Sequence, residues 1–375
     1  MLPVVDTVAS LLTSAAEAIG LASGPSSSKS KTMSDKGNGK KPTKDVEEIR
    51  SQREGNSSRH PEKWSPLYDS APSRREEKPR DRRKRVAELT LRALNRGSYE
   101  YRSATISLGI KETVEGTIFF EENYPLNDWK SVPHRDTQRA AEATVSILNI
   151  STLDAARILH NSYRFAPQDG SAPPKTGVLN FASATQPGGG FENGAEAQEE
   201  SIARVSTLSR SLKSKEGKRF YEVHKKHKSP FYTHTMIFSP DVIVFHNDQG
   251  EGVDPMPIQV VSSAAVNAGL ILENKATFLT AQAEVEIEAA MEERMGRILY
   301  LFETRGIRNI VLGTFGTGVF KNKVDMVARV WAKLLVGGRF TFSFDRVFFA
   351  VTGDTTFATF KGSWEGWEKT GRNTH

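Results

Sequence analysis

Three consecutive glycines, Gly188-Gly189-Gly190, are separated by seven residues from Gln198-Glu199-Glu200 and follow the apolar run Gly177-Val178-Leu179-Asn180-Phe181-Ala182. A short apolar run bounded by turn formers reads as a buried strand. Adjacent glycines adopt positive φ without penalty and let the backbone approach a ligand closely. The first turn of the helix that follows offers unpaired N–H groups to anions. The order strand, glycine loop, acidic helix therefore predicts an α/β sheet with a phosphorylated ligand at its strand ends and carboxylates within reach of it.

The rest of the chain supports that class. Strand-like runs are predicted at Thr144 to Ile150, Val178 to Ala182, Val242 to His246, Ile258 to Ser262, Ile310 to Phe315 and Val347 to Val351, with helices at Leu153 to His160, Ala195 to Leu212, Ala281 to Thr304 and Asp325 to Leu335. Alternation of this kind predicts a three-layer α/β domain with a mixed sheet. An N-terminal helical extension starts at Val86 and stops near Gly97, so the ordered domain is placed at 86–375 and a mostly disordered basic tail at 1–85, with a short amphipathic helix at 1–21.

Charge is unevenly spread. Through Val86 there are 18 Lys and Arg against 12 Asp and Glu, which equals the whole-chain excess of 51 over 45. A basic tail on a neutral globule reads either as a salt-sensitive attractor of polyanions or as a solvated, unselective segment. Residues before Val86 are thus expected to be dispensable for short substrates. The cluster Lys78-Pro79-Arg80-Asp81-Arg82-Arg83-Lys84-Arg85 is of the nuclear-import kind, which favours an intracellular, nuclear address. The absence of cysteine excludes disulfides, thiolate metal sites and a thiol nucleophile. No stretch has the roughly 20 uninterrupted apolar residues of a membrane span.

Neighbouring Glu199 and Glu200 lie about 100° apart on a helix, so one can face a reacting bond while the other anchors a hydroxyl. Glycoside cleavage needs a proton delivered to the leaving oxygen, which a partly buried glutamic acid supplies. An exposed Glu-Glu pair at a helix start is otherwise only favourable with the helix dipole. A second glycine loop, Gly313-Thr314-Phe315-Gly316-Thr317-Gly318, lies between a strand and a helix near Val324, and suits either main-chain contacts to phosphate or a tight turn. Asn180 and Ser183 are candidates for nucleoside or ribose contacts, or for capping the loop. The pair His224 and His227 reads as part of a solvated basic loop rather than a metal site, and Asp248, Glu251 and Asp254 are spaced like parts of a calcium loop but lack its glycine positions and terminal Glu. No metal is assigned.

On the residues Leu179 to Ala184, G-G-G-x7-Q-E-E, Ser201 to Arg204 and Val311 to Phe320, the chain resembles the poly(ADP-ribose) glycohydrolase family in its bacterial and fungal form, over roughly Arg85 to Phe360. The resemblance implies a macrodomain-like fold and hydrolysis of ribose–ribose O-glycosidic bonds in poly(ADP-ribose), releasing ADP-ribose, with no metal and no cofactor. It implies Glu200 as the acid, Glu199 on ribose hydroxyls and Gln198 as a buttress. Gly188, Gly189 and Gly190 form one phosphate-binding loop; Gly313, Thr314, Phe315, Gly316, Thr317, Gly318, Val319 and Phe320 form the other, with Phe320 against the distal ribose. The partners so implied are poly(ADP-ribose) and ADP-ribosylated proteins; nonspecific polyanion contact is expected of the tail, and no membrane partner is expected. The chain departs from the family at Phe315 and Thr317, where Trp and Cys are usual, and at Lys321-Asn322-Lys323, where Gly-Asn-Asp is usual. The alternatives are a non-catalytic reader of ADP-ribose and, disfavoured by the neutral globular part, a nucleic-acid-binding protein.

Overall fold

Strand β5 (Thr176–Phe181) is buried along nearly its whole length because it lies in the interior of a sheet covered on both faces. Its side chains alternate: Val178 joins one apolar cluster and Leu179 the other. A continuous apolar run is what a doubly covered strand requires. Strand β8 (Asn309–Gly313) behaves the same way, with Val311 on one face and Ile310 and Leu312 on the other.

The computed structural model describes residues 77–132, 141–164, 173–273 and 277–370. Contacts divide the chain after Glu76, and every described residue falls in the second unit. The expected helix at 1–21 and the expected disorder through Glu76 lie outside the described residues.

Seven strands form the main sheet in the order β3-β6-β7-β5-β8-β9-β4. Here β3 is Ile118–Phe120, β6 Met236–His246, β7 Gly252–Ser263, β4 Thr144–Leu148 and β9 Arg346–Ala350. Strands β3, β6 and β7 pair antiparallel, and β7, β5, β8, β9 and β4 run parallel. On one face pack α3 (Thr152–Arg164), α4 (Gln198–Val205), α5 (Leu208–Leu212) and α6 (Lys215–Lys226); on the other, α8 (Thr277–Thr304), α9 (Val324–Leu335) and α10 (Asp354–Thr370). The predicted three layers and mixed sheet are thus present. A short hairpin, β1 (Ser98–Tyr101) with β2 (Ala104–Ser107), and helix α2 (Ile110–Glu115) precede the sheet, and α7 (Ala268–Glu273) follows β7.

Three sequence expectations change. The helix drawn from Ala195 to Leu212 is two helices, because Ser206 is extended and bridges Val244 while Thr207 exchanges hydrogen bonds with Ile243. The edge of β6 takes main-chain groups that would have continued the helix. The basic segment around His224 is not a solvated loop: it is the last turn of α6, and His224 is buried, bonded to the Phe220 carbonyl and to Thr233. Finally, helix α1 runs Pro79–Arg96, so the cluster read as the end of a tail is helical up to the Val86 boundary. Proline at the first position suits a helix start, and Gly97 at φ 78 ends it.

Candidate active site

Strands β5 and β8 are parallel neighbours, so the glycine loops that leave their carboxyl ends emerge side by side. Phe181 and Phe315 meet beneath them with ring centroids 5.7 Å apart. Gly313 has no room for a side chain, since a Cβ there would lie 2.6 Å from the Ala350 carbonyl.

In the first loop Gly188 and Gly189 have φ 76 and φ 56, a region that favours glycine. A Cβ on Gly189 would stand 2.2 Å from Oε1 of Glu200. The loop therefore wraps the carboxylate itself, and the Gly190 N–H donates to that oxygen across 3.0 Å. Oε2 of Glu200 has no protein partner among the described residues, and the side chain is half-buried.

Glu199 is the buried member of the pair. It is 2% exposed, its Oε1 accepts from Asn180 Nδ2 at 3.3 Å and its Oε2 from the Ser183 N–H at 2.7 Å. Burial pushes its carboxyl up to about 8, against the opposing pull of the Ser183 N–H and the Asn180 amide. A raised pKa alone would nominate Glu199 as the acid. Proton transfer also needs reach, and Glu199 has no exposed edge to offer a leaving group or, in this conformation, a ribose hydroxyl.

Gln198 is held by main chain: it accepts from the Phe181 N–H at 2.9 Å and donates to the Leu179 carbonyl at 2.7 Å. It pins the start of α4 to β5, and its amide is not directed at the loop. Asn180, expected at a ribose, is wholly buried between Glu199 and Ser262, with its Oδ1 unpartnered. Ser183 Oγ accepts from Gln186 N at 3.2 Å, the capping alternative.

The second loop is more open. Thr317 closes a turn on the Thr314 carbonyl through both N–H and hydroxyl. Phe315 is fully buried, so its ring is core and only its main chain belongs to the loop. The N–H groups of Gly316, Gly318, Val319 and Phe320 have no acceptor among the described residues. Main-chain N–H groups left unpaired close together in sequence are the raw material of an anion-binding nest. Val319 is 80% exposed, and a Cβ on Gly318 would meet nothing within 4 Å.

Tyr232 and Arg294 carried no sequence cue, and Asn322 carried only its match to the family pattern. Asn322 is buried and donates to the carbonyls of Val266 and Gly316, fixing the second loop against the segment after β7. Phe320 packs on Tyr232, centroids 5.7 Å apart, and Tyr232 sits at φ 53. Arg294, from α8 and wholly buried, donates to the carbonyls of Phe231, Tyr232 and Ala264 and so stabilises that conformation. Of the two lysines where the chain departs from the family pattern, Lys323 is committed to Glu284 at 2.7 Å, whereas Lys321 is exposed with no ion pair among the described residues. A separate groove of about 300 Å³ between Phe119, Glu121, Arg219 and Lys226 shares no residue with either loop. No group of His, Asp and Glu suited to a metal occurs among the described residues.

Residues 87–247 match the model of the microbial-type PARG, catalytic domain. The structure is similar to that of poly(ADP-ribose) glycohydrolase from Thermomonospora curvata, at 31% identity and TM-score 0.66 over 75% of this chain and 98% of that one. It is similar, at TM-score 0.64 and the same identity and coverage, to the form of that enzyme bound to the inhibitor ADP-HPD. The Deinococcus radiodurans enzyme in complex with ADP-ribose matches at 30% identity and TM-score 0.59, over 69% of this chain and 98% of that one. No curated protein sequence matches. Both organisms are bacteria and have no nucleus, which overturns the nuclear address read from Lys78 to Arg85.

Proposed function

We infer the chemistry of the site from one premise: the chain belongs to the poly(ADP-ribose) glycohydrolase family, in its bacterial form. It hydrolyses the ribose–ribose O-glycosidic bonds of poly(ADP-ribose) and releases ADP-ribose. The roles of individual residues are our proposal. Glu200 is the acid. With Oε1 held by Gly190, its Oε2 gives a proton to the leaving ribose oxygen as the glycosidic C–O bond breaks. The oxocarbenium-like centre left behind takes a water, whose proton returns to the same carboxylate. Glu199 holds Asn180 and the Ser183 turn, and Gln198 ties α4 to β5.

The free N–H groups of Gly316, Gly318, Val319 and Phe320 take the diphosphate, and Phe320 against Tyr232 bounds the distal ribose. The observation that carries this reading is the free Oε2 of Glu200, whose other oxygen is held by the first of two glycine loops that follow adjacent parallel strands. A non-catalytic reader would have no use for a carboxylate placed so. The test is incubation with poly(ADP-ribose) and separation of the products. ADP-ribose should appear, and Glu200→Gln should slow its release about a hundredfold while leaving ADP-ribose binding intact. Undiminished release by that variant would remove Glu200 from the role.

Polyanion contact is better assigned to helix α1 than to the tail. Of the excess charge through Val86, 12 Lys and Arg against 10 Asp and Glu precede Glu77, whereas residues 77–86 carry 6 against 2. We propose that long polymer is attracted by this helix start, and that the attraction fades as salt rises.

A further inference from the structure

Helix α1 presses on the loop between the glycines and the acidic pair. Arg83 donates from Nε to the Gly194 carbonyl at 2.9 Å and pairs with Glu196 at 2.8 Å; its side chain is only 17% exposed. Arg80 donates to the Asn193 carbonyl at 3.2 Å. Gly194 has φ 71, and a Cβ there would lie 2.5 Å from the Arg80 carbonyl, so helix and loop meet backbone to backbone. Ala87, Phe191 and Ala203 form a small apolar cluster across the same contact. One turn on, Thr90 donates to the Arg204 carbonyl at 2.6 Å, at the end of α4. Arg204 in turn donates to the Ala195 carbonyl at 3.2 Å, and the Ala195 N–H donates to the Gly190 carbonyl at 3.2 Å.

These bonds form a continuous path from α1 through Gly194 and Ala195 to Gly190, whose N–H orients Glu200. We propose that α1 is part of the working catalytic centre, with Arg83 and Thr90 as positioning residues that set the Gly190–Glu200 geometry without touching substrate. A guanidinium fork suits this position because it bonds a carbonyl and a carboxylate at once, which an ammonium on a flexible stem does not reproduce. The inference rests on the reading of Glu200 as the acid, since only then does the position of its carboxylate govern rate.

The test compares Arg83→Ala, Arg83→Lys and Thr90→Val with Arg92→Ala, a control on the same helix whose one ion pair among the described residues is with Glu88. Two quantities are read on the full chain: kcat and KM on ADP-ribose oligomers, and hydrogen exchange of the Gly188 to Glu200 segment. Arg83→Ala should lower kcat about tenfold or more with little change in KM, because a displaced catalytic group costs rate rather than ground-state affinity. Exchange across Gly190 to Glu200 should accelerate, Arg83→Lys should recover only part of the loss, and Thr90→Val should follow the same trend. Should Arg83→Ala fail to fold, Thr90→Val carries the decision. Unchanged exchange and kcat, or an equal effect from Arg92→Ala, would overturn the proposal. An inactive wild-type chain would instead count against the glycohydrolase reading, and the exchange data would still decide whether α1 holds the loop.

Discussion

The Gly190 N–H donates to the Glu200 carboxylate across 3.0 Å, which makes the glycine loop and the acidic helix a single device. The triple glycine is required by the carboxylate as much as by any phosphate. Positive φ at Gly188 and Gly189 turns the chain around the Glu200 side chain, and the missing Cβ of Gly189 is the space that side chain occupies.

Gly189→Ala should therefore act on the acid directly. A methyl 2.2 Å from Oε1 must displace the carboxylate, and alanine at φ 56 adds a backbone cost of about 1 kcal/mol. We expect turnover to fall by about tenfold or more, with a lowered thermal midpoint. Normal turnover would mean the loop has slack that the structure does not show.

Gly318→Val makes the opposite case. Nothing lies within 4 Å of its Cβ position, so the fold should tolerate the change and the thermal midpoint should hold. A branched side chain beside the free N–H groups of Gly318 and Val319 should still weaken ADP-ribose binding measured by calorimetry. Wild-type affinity in a folded variant would take Gly318 out of the phosphate cradle.

What could be read from the sequence was local. Both glycine loops, the Gln198-Glu199-Glu200 run and the central strands announce themselves within about a dozen residues, because backbone conformation and period-two burial are short-range demands. Arg294 could not be read so: it lies 62 residues from Tyr232 in sequence, and only the fold brings α8 beneath that turn. For Phe315 and Asn180, whether the side chain faces ligand or core depends on packing against Phe181 of β5 and Ser262 of β7. The break at Ser206 likewise comes from β6, a strand distant in sequence. Arg83 resembled one more charge in a basic run, because its partners Gly194 and Glu196 are more than a hundred residues away.

Lys321 is an uncommon choice at φ 58, where the family resemblance has glycine. An L side chain in the left-handed region costs about 1–2 kcal/mol, partly offset by the greater unfolded-state freedom of glycine. Lys321→Gly should thus raise stability by up to about 1 kcal/mol in urea unfolding. A lowered midpoint would show that the lysine stem over Gly269 stabilises more than the strain costs.

Stability should peak near pH 6.5. Burial pushes the imidazoles of His224, His234 and His246 down to about 4, 3 and 4, from an ordinary 6.5. As pH falls below 6.5 the unfolded chain gains protons that the native chain refuses, and stability is lost. Glu199 has the opposite sign: raised to about 8, it keeps a proton in the native state that the unfolded chain releases near 4.5. From pH 4.5 to 6.5 three histidines outweigh one carboxyl; from 6.5 to 8 Glu199 acts alone, and stability should fall by up to about 1.4 kcal/mol per pH unit. Glu199→Gln should flatten the alkaline side of the profile. Wild-type stability that keeps rising to pH 8 would show that Glu199 is ionised in the native state.

The amino-terminal boundary gives the last prediction. Sequence placed the start of the ordered domain at Val86 and treated what precedes it as dispensable for short substrates. A chain beginning at Glu77 keeps all of α1, including Arg80 and Arg83, and should match the full chain on short oligomers. A chain beginning at Val86 loses both arginines and the first seven residues of the helix, although Ala87 and Thr90 remain. It should fold, as judged by circular dichroism, yet release ADP-ribose about tenfold or more slowly, because the loop that sets Glu200 has lost its outer support. Equal rates for the two fragments would show that α4 and the glycine loop hold Glu200 unaided, and that the contacts of Arg80 and Arg83 serve only to dock the helix.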